Sequence, residues 1–277
     1  MPLADRAVRA RDDPGRLAAV ESGSGPRLVL AHGFTQNAGT WGAFGDHLRI
    51  RHRLAAVDLP GHGRSSGVTA ADLHDAARLL GATGGRAAYL GYSLGGRIAL
   101  HTAIAHPELV ERLVLIGATP GIADARERQQ RQIADQELAH HLDPGNPGNP
   151  GDPIEQRARL EAFLRRWLAG PLFASLDADA AAFDARMANT CAGLASSLRT
   201  CGTGTQQPLW DRLPSLDMPV LVMAGERDIR FADIARRMVD AIGPNATVAL
   251  VPDAGHACHL ERPGAAAIVV EDFLARR

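Results

Sequence analysis

Short apolar runs alternate along the chain with segments of helical periodicity, and this alternation limits the possible folds most strongly. The runs lie at residues 27–31, 53–58, 86–92, 111–118, 218–224 and 246–251. A helical pattern at 95–105 follows the third run, and a closing helix is predicted from about 263 to 277. Continuous apolar strands separated by helices are typical of a parallel sheet covered on both faces. The pattern therefore predicts an α/β fold with a mostly parallel central sheet flanked by helices.

The composition fits one large domain, or a core with a small insert. The chain has 277 residues, of which 45% are hydrophobic, and this is enough to bury a full core. The net charge of −1 favours neither nucleic acid nor an anionic membrane as a partner. Every basic residue is arginine, so chemistry that needs lysine, such as a Schiff base or a Walker-type phosphate loop, is excluded.

Nothing in the sequence indicates a targeting or membrane segment. The N-terminal residues carry charges without an apolar stretch behind them, and no run is long enough to span a membrane. The three cysteines, Cys191, Cys201 and Cys258, are too few and too scattered for a disulfide framework or a zinc site. We expect a cytoplasmic protein that uses no metal or cofactor and is a monomer or a homodimer.

The pattern changes between the fourth and fifth apolar runs. Residues 121–205 are mostly amphipathic helix without strong strand signals. This indicates a helical cap inserted into a core that is formed by residues 1–120 and 206–277. Within the cap, residues 143–153 read DPGNPGNPGDP, and so many prolines and glycines disfavour regular structure, which predicts a flexible loop.

Residues 91–95 read Gly-Tyr-Ser-Leu-Gly, a G-x-S-x-G pattern between a predicted strand and a predicted helix. In that context the glycines allow a sharp turn that exposes the hydroxyl of Ser93 as a nucleophile. The following helix N-terminus then directs free backbone N–H groups at developing negative charge. The alternative is an ordinary serine in a glycine-rich turn.

A nucleophilic serine needs a base, and the base needs an orienting acid. Asp228 follows the fifth apolar run and His256 follows the sixth, which gives the hydrolase order of serine, acid and histidine. Both lie just past the carboxyl ends of predicted strands, where open α/β sheets place their ligands. Glu226 and Asp253 are alternative acids. We favour Asp228 for its position after the strand, whereas Asp253 belongs to the turn before the histidine.

The backbone N–H groups of Phe34, after the first apolar run, and of Leu94, after the serine, are the expected oxyanion donors. His32 and His62 are predicted to be structural hydrogen-bonding residues. His259 lies three residues after the triad histidine, a spacing that metal ligands also use. No third ligand is evident, so a metal site is not expected.

Arg97 lies four residues after Ser93, so the two side chains share one helix face. A fixed positive charge at that point suits a substrate with a carboxylate, which arginine recognises by bidentate pairing. The alternative is a helix arginine that pairs with a nearby carboxylate of the protein. Further basic residues stand where the cap should meet the core: Arg128, Arg131, Arg186 and Arg230.

Several longer motifs together resemble the MenH family, the 2-succinyl-6-hydroxy-2,4-cyclohexadiene-1-carboxylate synthases of menaquinone biosynthesis, which are lyases with the α/β-hydrolase fold. HGF at 32–34, the serine pentad and AGH at 254–256 are common to α/β hydrolases in general. More particular are Arg97, the Arg/Gln-rich run that ends at Asp135, RWLAGPLFASL at 166–176 and GERDIRF at 225–231.

The resemblance implies an α/β-hydrolase fold in which Ser93, Asp228 and His256 form the catalytic triad. It also implies that the carboxylates and ring of a small anionic substrate are bound by Tyr92, Arg97, Arg131, Trp167 and Arg186. Arg230 stands where this family often has lysine, so it is a further candidate for substrate binding.

The reaction that the resemblance implies is elimination of pyruvate from 2-succinyl-5-enolpyruvyl-6-hydroxy-3-cyclohexene-1-carboxylate, with Ser93 as general base. The first alternative is a serine hydrolase that acts on ester, lactone or C–C bonds of a small carboxylated substrate. The second is a non-catalytic receptor that keeps the pocket of the fold.

Overall fold

The structure is a computed structural model that describes residues 6–8, 15–143 and 152–276, and only the backbone of 6–8. Most of the predicted loop 143–153 lies outside the described residues. The described strands are β1 (Arg6–Val8), β2 (Ala19–Ser22), β3 (Arg27–Ala31), β4 (Arg53–Val57), β5 (Ala87–Tyr92), β6 (Val110–Ile116), β7 (Val220–Gly225) and β8 (Ala246–Val251). The described α-helices are α1 (Gly42–Leu48), α2 (Leu73–Gly84), α3 (Leu94–Ala105), α4 (Ala125–Leu142), α5 (Pro153–Leu168), α6 (Phe183–Arg186), α7 (Cys191–Cys201), α8 (Ile229–Ile242), α9 (Cys258–Glu261) and α10 (Pro263–Ala275).

All eight described strands form one sheet in the order β1-β2-β4-β3-β5-β6-β7-β8. Strands β3 to β8 pair in parallel, whereas β1 and β2 form an antiparallel edge against β4. Every residue of β5 and of β7 is buried, as expected for central strands covered on both faces. Each of the six predicted apolar runs overlaps one of the parallel strands, with bounds that differ by at most two residues, and the sequence reasoning missed only the antiparallel edge.

Helices cover both faces of the sheet, and the side chains of each strand alternate between the two layers. In β3, Val29 and Ala31 pack in one core with α2, α3 and α8, while Leu28 and Leu30 pack in the other core with α1, α9 and α10. This arrangement brings the carboxyl ends of β3, β5, β7 and β8 to one edge, where the loops that follow them carry the predicted catalytic residues.

Between β6 and β7 the described residues contain four α-helices and no strand. Helices α4, α5 and α7 bury a small apolar cluster of their own. The predicted fold class, an α/β-hydrolase core with an inserted helical cap, is therefore confirmed. Within the part of the chain that the structure describes, every helix is too short or too polar to cross a bilayer.

Candidate active site

Ser93 occupies a tight turn between β5 and α3, with φ 51° and ψ −110°. A non-glycine residue in this region is strained, and such strain persists only where the surrounding structure enforces it. The backbone N–H of Ser93 donates to the carbonyl of Ile116 at 2.8 Å. A Cβ on Gly95 would clash with the carbonyl oxygen of Ala31, and one on Gly91 would clash with Gly95. The glycines of the pentad therefore allow the close approach that this turn requires.

The structure brings Ser93, His256 and Asp228 together in a hydrogen-bonded line. His256 Nδ1 lies 2.8 Å from Asp228 Oδ2, and His256 Nε2 lies 3.4 Å from Ser93 Oγ. Because a carboxylate only accepts, Nδ1 carries the proton and Nε2 is free to accept the serine proton. The other two acids are placed differently: Glu226 is exposed, and Asp253 pairs with Arg227 at the surface.

Asp228 is held in turn by the start of α8. It is the N-cap residue of that helix, and its Oδ1 accepts from the backbone N–H of Phe231 at 3.2 Å. The ring of Phe231 packs against the imidazole of His256, with 4.5 Å between centroids. One carboxylate oxygen is thus occupied by the backbone while the other orients the histidine, so the acid cannot rotate freely.

The loop that carries His256 is fixed by a residue that the sequence reasoning missed. Glu261, in the one-turn helix α9, accepts from the backbone N–H of Gly255 at 2.7 Å and from that of Ala257 at 3.1 Å. These two peptides flank His256. The available signal was a glutamate five residues after the histidine, at a spacing that allows it to reach back to the start of its own helix.

The backbone N–H groups of Phe34 and Leu94 have no hydrogen-bond acceptor in the described protein and lie in residues that line the same cavity as Ser93. Leu94 is the first residue of α3, where an N–H has no acceptor within the helix. Gly95 N–H donates to the carbonyl of His32 at 3.0 Å, which ties the helix start to the loop after β3. The arrangement suits two donors that face one developing anion.

The cavity above the serine has a volume of about 410 Å³ and is lined by the triad together with core and cap residues. Arg97 lines it and is only 6% exposed. Its guanidinium donates to the carbonyls of Cys201 and Gly202 and to Oε1 of Gln206, at 2.8 to 3.3 Å. Among the described residues it pairs with no carboxylate, so the alternative of an ordinary helix ion pair does not apply.

Burial lowers the pKa of Arg97 to about 10, so the side chain is still cationic at neutral pH. Its partners are neutral carbonyl oxygens, which solvate the guanidinium without cancelling its charge. A buried cation with no paired anion is costly, and an anionic ligand in the cavity would supply the missing countercharge.

Two further predicted arginines line this cavity. Arg131 Nε lies 2.7 Å from Oδ1 of Asp135, whose other oxygen accepts from the N–H of Gly204 at 3.0 Å. Arg230 lies at the rim and pairs with Glu127 at 3.0 Å. Asp135, almost fully buried, therefore links α4 to residues 201–206, which accept the hydrogen bonds of the Arg97 guanidinium.

Trp167 also lines the cavity and is half-buried beside the oxyanion loop. Its ring meets that of Phe34 edge-on with 5.2 Å between centroids, and it stacks on Phe163 at 6.1 Å. An aromatic wall next to a cluster of arginines suits a substrate that combines a ring with carboxylates.

The structure places Tyr92 and Arg186 outside the lining of this cavity. Arg186 is 1% exposed and donates to the carbonyl of Ala181 and to the hydroxyl of Thr35. Tyr92 is buried against the ring of His259, with 4.3 Å between centroids, and its burial raises the pKa of its hydroxyl. Their predicted contact with substrate therefore remains a prediction. Arg128, outside the same lining, donates to backbone carbonyls instead.

His32 and His62 are buried behind the oxyanion loop, and burial lowers their pKa values to about 4 and about 3. His32 Nδ1 lies 2.8 Å from the carbonyl of Gly33, and its Nε2 accepts from the N–H of Leu59 at 3.0 Å. These are structural hydrogen bonds of a neutral imidazole. The described residues include no group of three or more His, Cys, Asp or Glu that could hold a metal ion.

Comparison with known proteins agrees with this architecture. The model of the alpha/beta hydrolase family matches residues 28–268. The chain therefore belongs to the alpha/beta hydrolase family.

Individual relatives show which members of this family the chain resembles. The chain is 34% identical to the 2-succinyl-6-hydroxy-2,4-cyclohexadiene-1-carboxylate synthase of Serratia proteamaculans, over 90% of this chain and 93% of that protein. It is 32% identical to the synthase of the same name from Klebsiella pneumoniae, over 93% and 98%. Among solved structures, MenH from S. aureus superposes with a TM-score of 0.78 at 27% identity and covers 98% of this chain. The resemblance to the MenH family is thus confirmed.

Proposed function

We propose that the protein is a lyase of menaquinone biosynthesis that eliminates pyruvate from 2-succinyl-5-enolpyruvyl-6-hydroxy-3-cyclohexene-1-carboxylate. The family membership and the relatives named for this product support the proposal. The observation that carries it in this chain is the unpaired, buried cation of Arg97 in the same cavity as Ser93. A hydrolase of neutral esters has no use for that charge, whereas a substrate with several carboxylates supplies its counterion.

In the proposed mechanism Ser93 is a general base. His256 accepts the proton of the serine hydroxyl, and Asp228 stabilises the imidazolium that forms. The activated serine oxygen removes the ring proton next to the succinyl ketone, and the electron pair moves toward the ketone oxygen as an enolate. As the enolate collapses, the ring double bonds shift into a conjugated pair, the C–O bond to the enolpyruvyl group breaks, and that group leaves as the enolate of pyruvate. The proton that His256 took from the serine converts this enolate to pyruvate, while the serine keeps the ring proton, so the triad returns to its starting state. The N–H groups of Phe34 and Leu94 bind the enolate-like oxygen, and no acyl-enzyme forms.

We further propose that residues 121–205 act as a cap that closes over this chemistry, with 1–120 and 206–277 as the core. Arg131 and Trp167, on α4 and α5, line the same cavity as the triad. Elimination benefits from an enclosed site, because excluding water strengthens the interactions between the arginines and the substrate.

The test is direct turnover of the pathway intermediate with release of pyruvate as the readout. Wild-type protein, Ser93→Ala and Arg128→Ala are compared. Arg128 is the matched control, because it lies outside the cavity lining and its guanidinium contacts backbone carbonyls. The proposal predicts release well above the spontaneous rate in wild type and control, and loss of that release in Ser93→Ala.

A serine hydrolase would give a different result, since the same triad and donors also support acyl transfer. Pyruvate release at the spontaneous rate, together with a burst of p-nitrophenol from an activated ester, would overturn the lyase proposal in favour of hydrolysis. Tight ligand binding without either activity would favour a receptor.

A further inference from the structure

A second cavity lies behind the active site, between α2, α3 and residues 205–212. We call it the rear cavity; its volume is about 350 Å³, and among the described residues it shares no lining with the active-site cavity. Most of its wall is apolar, which suits the body of a small organic molecule. The lining residues that decide what it could bind are Leu73, His101, Ile104, Gln206, Leu209 and Arg212.

Gln206 lines the rear cavity and contacts Arg97, which lines the active-site cavity. It is 1% exposed, and its Oε1 accepts from a guanidinium N–H of Arg97 at 3.3 Å. Because arginine only donates, the amide oxygen must face Arg97, and this fixes the orientation of the amide group. Its Nε2 is buried and has no partner in the described protein. The amide N–H groups of a rear-cavity residue are thus left without an acceptor.

His101 provides a second polar atom of the same kind. It lies on α3 one turn after Arg97, and its Nε2 is buried without a partner among the described residues. The pKa of His101 is lowered to about 4, mainly by burial and secondly by the positive charge of Arg97, so the ring is neutral at neutral pH. A neutral imidazole carries one N–H, which it can present at Nε2. Buried donors without acceptors are unfavourable, and both residues line the rear cavity, so a ligand there that carries acceptor atoms would satisfy donors that are otherwise unpaired.

The charged groups around the rear cavity favour an anion. Arg97 stands behind Gln206 and Arg212 lies at the mouth, both positive. The only carboxylate among the described lining residues is Asp72, which accepts from the N–H of Asp75 at 2.8 Å; its charge offsets one of the two arginines, so the surroundings keep one positive charge in excess. His74, at the exposed rim, adds a further polar group.

We propose that the rear cavity is a binding site for a small carboxylic acid with an apolar body, distinct from the catalytic site. The carboxylate accepts from Gln206 Nε2 and His101 Nε2, and the body packs on Leu73, Ile104 and Leu209. Because Gln206 also contacts Arg97, an occupant of this site lies one side chain away from the catalytic cavity. The proposal concerns a different cavity and does not depend on which reaction the triad performs.

The test is a titration of ¹⁵N-labelled full-length protein with benzoate, followed by NMR at the side-chain amide of Gln206. That signal is assigned by its loss in Gln206→Met. We expect a saturable shift of the Gln206 amide in the wild type. His101→Leu keeps the volume and removes one donor, so it should raise the Kd about fivefold to tenfold. Ile104→Trp fills the cavity and should abolish the shift; it tests the site if the histidine variant does not fold.

Two controls separate this site from the active site and test the ligand class. Arg131→Met removes a charge from the catalytic cavity and should leave the benzoate Kd at Gln206 within twofold. Loss of the shift in that variant would show that benzoate binds the catalytic cavity instead. Absence of a saturable shift in the wild type would overturn the site itself. Benzamide, the neutral analogue, should bind at least tenfold more weakly, and equal binding would overturn the assignment of a carboxylate.

Discussion

The substitution Glu261→Gln tests whether the catalytic histidine is positioned by the loop around it. In the structure the two carboxylate oxygens of Glu261 accept from the peptide N–H groups on either side of His256, at 2.7 and 3.1 Å. A glutamine has almost the same shape but only one acceptor oxygen. Its NH₂ group would face the second peptide N–H, so one of the two hydrogen bonds is lost and its donor is left unpaired.

The size of the effect follows from that single bond. A hydrogen bond to a charged group contributes about 1.5–3 kcal/mol. If the intact pair is what holds His256 in line with Ser93, its loss slows the chemical step about 10- to 100-fold, because about 1.4 kcal/mol corresponds to a factor of ten. The proposed substrate-binding residues lie on other elements, so KM should stay within about twofold. The melting temperature should fall by less than about 10 °C.

The assay measures kcat and KM for pyruvate release, and separately the rate at which a fluorophosphonate labels Ser93. Labelling needs the activated serine but not the natural substrate, so it tests the positioning role even if the proposed reaction is wrong. Glu137→Gln, at an exposed position of α4, is the matched control and should leave both rates unchanged. Labelling of Glu261→Gln at the wild-type rate would refute the reasoning.

Three further substitutions test the tight turn at Ser93, the acid Asp228 and the buried histidine His32. Gly95→Ala should prevent folding or abolish serine labelling, because its Cβ would clash with the carbonyl of Ala31; a variant with wild-type melting and labelling would contradict the packing argument. Asp228→Asn should lower kcat by roughly 10³- to 10⁴-fold while circular dichroism shows an intact fold, because the amide no longer fixes the tautomer of His256; a loss below tenfold would argue against Asp228 as the orienting acid. Burial lowers the pKa of His32 from 6.5 to about 4, so between these values the unfolded chain binds more protons. Through His32 alone, the free energy of unfolding should therefore fall by up to about 3 kcal/mol as the pH drops from 6.5 to 4, in addition to the contributions of His62, His101 and His259, whose pKa values burial also lowers. Denaturant titrations at several pH values should show a shallower slope in His32→Asn, and an unchanged slope would contradict the assignment.

The parallel sheet could be predicted because its strands are buried on both faces and leave continuous apolar runs. The predicted bounds 27–31 and 246–251 coincide with β3 and β8. The antiparallel edge was missed because β2, with the sequence AVES, has one buried residue and three half-buried ones. A four-residue edge strand of that kind leaves no pattern that distinguishes it from a loop.

The catalytic line could be predicted from chain order, since each of its members follows a strand of the sheet. The partners of Arg97 could not, because they are two backbone carbonyls and a glutamine about a hundred residues away. The contacts of Glu261 were missed because its partners are backbone N–H groups, and the only trace of them in the sequence is the spacing of five residues from His256. The resemblance predicts that Tyr92 and Arg186 contact the substrate; both are buried outside the lining of the cavity, and their contact with substrate stays a prediction.

The most direct test of the account is kcat/KM for pyruvate release in Arg97→Met, beside Arg128→Met. Methionine keeps the apolar stem of the side chain and removes the charge and its donors, and fluorophosphonate labelling of Ser93 reports whether the catalytic line is intact. We expect kcat/KM to fall at least about tenfold, the equivalent of one charge-assisted hydrogen bond, with labelling and the Arg128 control unchanged. A kcat/KM within twofold of wild type would show that the buried cation beside the serine does not hold the substrate.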